Sequence, residues 1–477
     1  MKAMLSLPSP FTWSVIFGAL FLGGILGRSN PLYSAALAGG LLMIITTLLR
    51  WDELTVTAII AVHLYVDWYL GLHIVAPLMA LLLLGFFYVA RSPRHPWLMP
   101  SAFWLWIAFL LLTISPAIRG ALMLYDAASY YPSDILGALL MFWSGLLIAR
   151  SYVQVRNCFK LLAALGTLLA LHTIIQGTTG IVILGSSHYD ELMLLTSNYQ
   201  IWQSNAHRAG SFFVDPNWNG TFLGMIFFLP FGLFVESSTL LAKALYLIEM
   251  CLLLIALLFT YSNGAWLSFF AGLLIFIFFV GRNNYRILMP VLFFIGSEIV
   301  LALFPAQIAS QWMHAQDPTE VPLRVGAWLT ALRVIEAFPW TGVGLGYQNY
   351  LERSNPFRVP QEYVMLAHPH NSYLEWGAMA GLPVLCVFLA LLLFALWQAI
   401  RNWVDCGPVF RPLLGGGITA ILVLSVNSWT INGWTLPALA MPGWLILGLL
   451  ASPLLRRCDT AMQTGEKQQT DTATRVQ

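Results

Sequence analysis

The sequence predicts an all-α, polytopic transmembrane helix bundle. Of its 477 residues, 59% are hydrophobic and only 9% are charged. A soluble domain carries about 25% charged residues. A chain this apolar cannot cover its surface with water-facing side chains, and its mean hydropathy of +0.76 agrees with a membrane setting.

Apolar runs of roughly 17–22 residues, long enough to cross about 30 Å of hydrocarbon, recur along the chain. They predict about 12–14 spans in a single transmembrane domain over residues 1–455. A large helical loop is expected between the spans near 304 and 379. The predicted spans lie near 11–27, 31–49, 54–70, 72–90, 97–117, 133–149, 158–177, 217–235, 241–261, 264–281, 286–304, 379–400, 412–431 and 437–455.

The distribution of Lys and Arg predicts the orientation. With a cytoplasmic N-terminus, 16 of the 23 basic residues lie inside and seven lie outside, as the positive-inside rule requires. Segments 118–132, 178–216 and 305–378 then face outward, which is the periplasm if this is the inner membrane of a Gram-negative bacterium. The polar tail 456–477 is expected to be disordered and cytoplasmic.

Composition argues against several classes of function. A net charge of +2 does not suggest nucleic acid as a partner. None of the five cysteines falls in the loop 305–378, so no disulfide or zinc ribbon is expected there. The absence of an evident internal sequence repeat weakens a transporter interpretation.

The loop 305–378 contains a predicted helix over 321–338. Arg324 and Arg333 are nine residues apart, about 180° around a helix, so they cannot both face one ligand. Arg324 is the better candidate for an inward role. Gly342, Gly344 and Gly346 follow, and their G-x-G-x-G spacing favours a tight turn or close backbone packing over nucleotide binding.

The most polar stretch near a span is HPHNSYLEWGAMAG, at the end of this loop. It predicts a loop followed by a helix that enters the bilayer. His370 would lie where water meets the membrane, with a pKa near working pH. Asn371 and Glu375 share one helix face, and His368 and Tyr373 are secondary candidates. Intramembrane carboxylates are usually functional.

The second outward segment supplies another arginine. Arg208 precedes Asp215, Pro216 and Asn217, and the sequence D-P-N predicts that Asp215 caps the next helix. Asp215 and Asn217 are therefore candidates either for capping or for binding substrate. Arg119, in the first outward segment, is a weaker candidate for substrate binding, because it could equally anchor a helix at the interface.

These motifs resemble those of the O-antigen ligase and polymerase superfamily. The segments R-x-x-G-[ST]-F…PN, R…W…P-x-x-G-x-G-x-G and H-x-H-N-x-[YF]-L-E…G-x-x-G occur here in the same order, over about residues 205–385. The matching positions are Arg208, Arg324, Gly342, Gly344, Gly346, His370, Asn371, Glu375 and Gly381.

The resemblance implies an inverting glycosyltransferase that moves a glycan from undecaprenyl diphosphate to an acceptor hydroxyl, without a metal or other cofactor. Arg208 and Arg324 would stabilise the diphosphate, since a guanidinium binds phosphate bidentately. His370 would be the general base. Glu375 would either orient His370 or hydrogen-bond within the bundle.

The acceptor stays open at the level of sequence. A ligase would use lipid A-core, a polymerase a second lipid-linked glycan, and a protein O-oligosaccharyltransferase a polypeptide. Trp328 stands where ligases often carry leucine, four residues after the arginine, and fourteen spans exceed the twelve usual for ligases. Both features weaken the ligase assignment, so that ligase, given first, and polymerase are nearly balanced. A flippase or transporter is less favoured, because the ionisable residues concentrate at the outward ends of the spans.

Overall fold

The protein is all-α throughout the part described by the computed structural model. This part comprises residues 52–64, 102–123, 135–181, 208–279, 298, 301–362, 364 and 366–455. Within it there are 15 α-helices, two 3-10 turns and no strand, which confirms the predicted fold class. The predicted spans near 11–27, 31–49 and 72–90, and the tail 456–477, lie outside the described residues.

The helices follow one another closely. They are α1 Asp52–Val62, α2 Phe103–Met123, α3 Gly137–Ile148, α4 Tyr152–Thr179, α5 Pro216–Ile226, α6 Phe228–Glu236, α7 Leu240–Thr260, α8 Asn263–Phe279, α9 Pro305–Ala315, α10 Glu320–Ala337, α11 Tyr347–Arg353, α12 Ser372–Ala380, α13 Leu382–Asp405, α14 Arg411–Asn427 and α15 Pro437–Ala451.

Among the described residues, five stretches are long and apolar enough to cross a membrane, so the chain is a multi-pass membrane protein. They lie in α2, α4, the consecutive pair α5 and α6, α7 and α13. Four shorter apolar helices, α3, α8, α14 and α15, accompany them. Each of these nine coincides with a predicted span, although the span predicted near 379–400 begins only after a break at Gly381.

The core of the bundle is built around α15, all of whose residues are buried. Helix α3 packs against it at very short range. A Cβ placed on Gly145 would lie 2.5 Å from the carbonyl oxygen of Leu445, and one on Gly448 would lie 2.1 Å from that of Phe142. Small residues allow this approach, which supplies the van der Waals contact that holds helices together in lipid.

Polar contacts tie the helix ends at one face of the bundle. Arg156 of α4 forms an ion pair with Glu236 at the end of α6. Asn402 of α13 donates to the carbonyls of Leu450 and Ser452, at 2.7 and 3.0 Å. The backbone N–H and C=O groups at the ends of a transmembrane helix have no hydrogen-bond partner within that helix. Side-chain contacts of this kind therefore concentrate where helices end.

The opposite face gathers the ends of α4, α7 and α14 and the beginnings of α5, α8, α12 and α15. The loop between the spans near 304 and 379 covers this face, and it is helical, as predicted. Its longest helix, α10, packs on α12, with Ile335 against Gly377. This face holds every candidate site residue.

Candidate functional site

Arg208 is fixed in a buried position just before α5. Its Nε donates to the carbonyl oxygen of Thr260, at 3.1 Å, and its Nη2 donates to Oδ1 of Asn217, at 2.7 Å. Only 7% of the residue is exposed. The guanidinium plane is therefore oriented by the ends of two helices, and its Nη1 points towards the carboxylate of Glu320, 3.8 Å away.

Glu320 brings Arg208 and Arg324 into one site. Its Oε1 lies 3.8 Å from Nη1 of Arg208 and 3.6 Å from Nε2 of His314. Its Oε2 lies 3.7 Å from Nη2 of Arg324. Two arginines that are remote in the sequence thus converge on one carboxylate, and phosphate is another anion that such a pair can bind.

Arg324 is also held by a backbone carbonyl, in addition to its contact with Glu320. Its Nη1 donates to the carbonyl oxygen of Thr430, in the segment 428–436 that joins α14 to α15. Arg324 is partly buried, whereas Arg333 on the other face of α10 is exposed. The predicted opposition of these two arginines around the helix is confirmed.

His368 and His370 lie against each other next to this arginine. Their ring centroids are 4.2 Å apart, and the backbone N–H of His370 donates to Nδ1 of His368, at 3.2 Å. The backbone of His370 has a φ of 49°, in the left-handed region that side-chain-bearing residues seldom adopt. Such backbone conformations persist where the surrounding structure enforces them, often at functional sites.

The surroundings keep both imidazoles neutral. Burial, assisted by the charge of Arg324, lowers the pKa of His368 to about 4. Burial also lowers the pKa of His370 well below its usual value of 6.5, and His368 and Arg324 lower it further. The pKa of His370 is therefore lower than the sequence led us to expect, because the loop packs onto the bundle instead of standing in water.

Sequence comparison identifies the family of this region. Residues 249–389 match the family model of the O-antigen ligase. This segment is similar to the O-antigen ligase family, and the match supports the O-antigen ligase superfamily. The resemblance inferred from the motifs is thereby confirmed. No curated protein matches the chain.

The O-antigen ligase segment runs from the middle of α7 into α13. It contains Arg324, His368 and His370, while Arg208 and Arg119 lie before it. The match supports assembly of glycans by a ligase or a polymerase in general.

Asn371, directly before α12, and Glu375, within α12, are both buried. Oδ1 of Asn371 accepts the backbone N–H groups of Tyr373 and Leu374, so this side chain caps the helix that follows His370. Glu375 is 1% exposed. Burial raises the pKa of Tyr350, and the charges of Glu362 and Glu375 raise it further, so Glu375 lies close enough to Tyr350 to interact with it. The role of Glu375 in orienting His370 stays a prediction.

The remaining predicted substrate-binding residues hold parts of the protein in place. Asp215 caps α5 by accepting the N–H of Asn217, and Oδ1 of Asn217 also accepts from Ser262. Arg119 donates to Oγ1 of Thr341 and to the carbonyl oxygen of Gly342, at 3.0 and 2.9 Å. The hydroxyl of Tyr373 donates to the carbonyl of Ser425. Their contact with substrate stays a prediction.

The three glycines of G-x-G-x-G form the predicted tight turn. All three have positive φ, and a Cβ on Gly342 would lie 2.4 Å from the backbone of Met379. Val343 and Gly344 donate backbone hydrogen bonds to Ala378 and Met379 at the end of α12. The turn therefore holds the end of α12, the helix that begins two residues after His370.

Three parts of the site were missed by the sequence interpretation: Glu320, His314 and the segment 428–436. Glu320 stands four residues before Arg324, a spacing that predicts an ion pair on a helix. In the segment 428–436, Asn432 accepts from Nε1 of Trp218 and donates to the hydroxyl of Tyr347, at 2.7 and 2.8 Å. A polar SWTING sequence between two apolar spans was the available signal.

The described residues contain no group of three His, Cys, Asp or Glu side chains placed to hold a metal ion. What the site does contain is two oriented guanidinium groups, a carboxylate between them and a pair of neutral imidazoles. Such a site can bind a multiply charged anion and accept a proton beside it.

Proposed function

We propose that this protein transfers a glycan from undecaprenyl diphosphate to an acceptor hydroxyl, as an O-antigen ligase does with lipid A-core. The observation that carries the proposal is the convergence of Arg208 and Arg324 on the Glu320 carboxylate, with Arg324 close enough to lower the pKa of His370. Anion binding and proton acceptance thus occur side by side.

The two arginines would bind the diphosphate of the donor. Negative charge grows on the leaving diphosphate as the glycosidic C–O bond breaks, and positive groups already in place stabilise that charge without reorganisation. Arg208 and Arg324 meet this requirement, because each is held by protein acceptors at Asn217, Thr260 and Thr430. A guanidinium also keeps its charge at every working pH.

His370 would be the general base. The acceptor oxygen attacks the anomeric carbon while its proton passes to the neutral imidazole, and the bond from that carbon to the phosphate oxygen breaks. The polyprenyl diphosphate leaves with the bonding electron pair. Attack from the face opposite the leaving group inverts the anomeric configuration. The lowered pKa of His370 keeps the imidazole neutral, which is the form that can accept the proton.

The site would face outward from the cytoplasmic membrane of a bacterium. The positive-inside rule puts the short loops with Arg150, Arg401 and Arg411 in the cytoplasm. The face that carries Arg208 and Arg324 is the opposite end of the same helices. A lipid-linked donor in the outer leaflet would then reach the arginines at the level of the headgroups.

A polymerase is the second candidate. The side chain four residues after Arg324 is Trp328, which is partly buried on α10. Its bulk near the arginine, in place of the leucine of ligases, favours a different acceptor, such as a second lipid-linked glycan. A protein O-oligosaccharyltransferase would share the donor site and differ only in the acceptor.

Reconstitution tests the shared chemistry, and a deletion strain separates the candidates. Purified protein in lipid nanodiscs should release polyprenyl diphosphate from a lipid-linked glycan only when an acceptor is present. Loss of a ligase should strand long polymers on the lipid carrier, whereas loss of a polymerase should leave single repeat units on the final acceptor. If the protein moves the donor across vesicles without cleaving it, the proposal is wrong and a flippase is the better assignment.

A further inference from the structure

We propose that Glu320 is an internal counter-anion, which occupies the phosphate position between Arg208 and Arg324 and leaves it when the donor diphosphate binds. The inference rests on the proposed function and adds a residue that the sequence motifs did not single out. It makes Glu320 a competitor of the substrate and of the diphosphate product, so that Glu320 weakens the binding of both.

The contacts of Glu320 are those of a loosely held anion. Its carboxylate oxygens lie 3.6–3.8 Å from the nitrogens of His314, Arg208 and Arg324. Charge-assisted hydrogen bonds are shorter, at about 2.7–2.9 Å. The side chain is 30% exposed, so water can reach the carboxylate when it rotates away. An ion pair of this kind contributes little stability and is readily exchanged.

The arginines do not depend on Glu320 for their position. Arg208 is fixed by the Thr260 carbonyl and by Asn217, and Arg324 by the Thr430 carbonyl. A carboxylate whose task was to hold these guanidiniums would be redundant here. Removal of its charge should therefore leave the pair of arginines in place and raise the local positive potential.

The position of Glu320 in the chain suits an anion that can be exchanged. It is the first residue of α10, and the partial positive charge of a helix N-terminus favours any anion at this point. His314 contacts the carboxylate and is close enough to Asp317 to interact with it, while His368 and His370 lie near Arg324. When the side chain turns towards water, the N-terminus of α10 and both guanidiniums are available to the more highly charged diphosphate.

A binding measurement with inorganic diphosphate tests the inference without turnover. The full chain in nanodiscs would be titrated with diphosphate by calorimetry, as wild type, Glu320→Gln and Glu320→Asp. We expect Glu320→Gln to lower the Kd by about tenfold, the change for roughly two weak ion pairs. Glu320→Asp keeps the charge on a shorter side chain, so its Kd for diphosphate should lie between those of the wild type and Glu320→Gln.

Glu336→Gln is the matched control, because it removes the same charge from the same helix. Glu336 is exposed and lies roughly 24 Å further along α10, on the other side of the helix. It should leave the Kd at the wild-type value. The role of Glu320 would be overturned if Glu320→Gln bound diphosphate no more tightly than the wild type and Glu320→Asp had the wild-type Kd.

The arginine variants separate this inference from the proposed function. If Arg208→Lys and Arg324→Lys weaken diphosphate binding while Glu320→Gln does not strengthen it, the phosphate site stands and only the counter-anion role is lost. If the two lysine variants bind diphosphate as the wild type does, the phosphate site itself is elsewhere.

Discussion

The backbone N–H of His370 donates a hydrogen bond to Nδ1 of His368, at 3.2 Å, while the His370 backbone lies in the left-handed region. One histidine thus fixes the loop conformation that presents the other. With its Nδ1 occupied as an acceptor, His368 would be a positioning residue under the proposed function, and the imidazole of His370 would remain for the substrate.

His370→Asn is the sharpest test of the base. Asparagine tolerates a positive φ better than most residues, so this variant should keep the loop conformation while it removes the imidazole. We expect kcat to fall by about 10²–10⁴-fold with normal membrane insertion, measured as release of polyprenyl diphosphate in nanodiscs. Near-normal turnover would show that His370 is not the base.

The pH dependence of kcat/KM follows from the lowered pKa of His370. A base with a lowered pKa loses its proton at lower pH, so it is available above that pKa and is lost as the pH falls through it. Because the pKa lies well below 6.5, activity should persist below pH 6.5 and decline only in more acidic solution.

The residual activity of His370→Asn serves as the control for that profile, because it should lack the acidic decline. A decline centred at pH 6.5 or above in the wild type would contradict the buried environment of His370.

Arg208→Lys and Arg324→Lys should each reduce kcat/KM by about 10²-fold, although the charge is kept. Lysine cannot contact both its structural acceptors and a phosphate, because it lacks the planar fork of the guanidinium. Arg333→Lys is the control, since Arg333 is exposed on the far face of α10. Unimpaired turnover in either of the first two variants would remove that arginine from the phosphate site.

Gly342→Ala should destabilise the protein by about 1–3 kcal/mol, because an added Cβ meets backbone and the φ of +58° is strained for alanine. The midpoint of thermal unfolding in detergent would report it. Gly407→Ala is the matched control, since a Cβ there meets nothing within 4 Å. If both variants unfold at the wild-type temperature, the turn at Gly342 does not need glycine.

Sequence reasoning succeeded wherever the physical signal was local. Among the described residues, apolar runs identified nine of the predicted spans, the D-P-N sequence identified the Asp215 cap, and the nine-residue spacing placed Arg324 and Arg333 on opposite faces of a helix. The glycines of G-x-G-x-G were correctly read as a turn, because positive φ is a property of the residue itself.

The pKa of His370 and the role of Glu320 depended on neighbours that are distant in the chain. The sequence put His370 at a water-facing loop, whereas burial lowers its pKa, and the nearby His368 and Arg324 lower it further. The sequence also could not show that the carbonyl of Thr430 holds Arg324. Every residue has a backbone carbonyl, so the residue type does not reveal which carbonyl accepts a hydrogen bond.

By itself, the sequence of this protein determined an all-α membrane bundle, the resemblance of one segment to the O-antigen ligase family and the residue types available for chemistry, since hydropathy, spacing and charge are properties of single segments. Only the tertiary structure decided which of those residues meet. Arg208 approaches from the beginning of α5 and Arg324 from α10, and the packing of helix ends brings both to the Glu320 carboxylate, with the histidines of the loop before α12 near Arg324. Contacts between remote segments arise from the three-dimensional packing of the bundle, which no local pattern encodes.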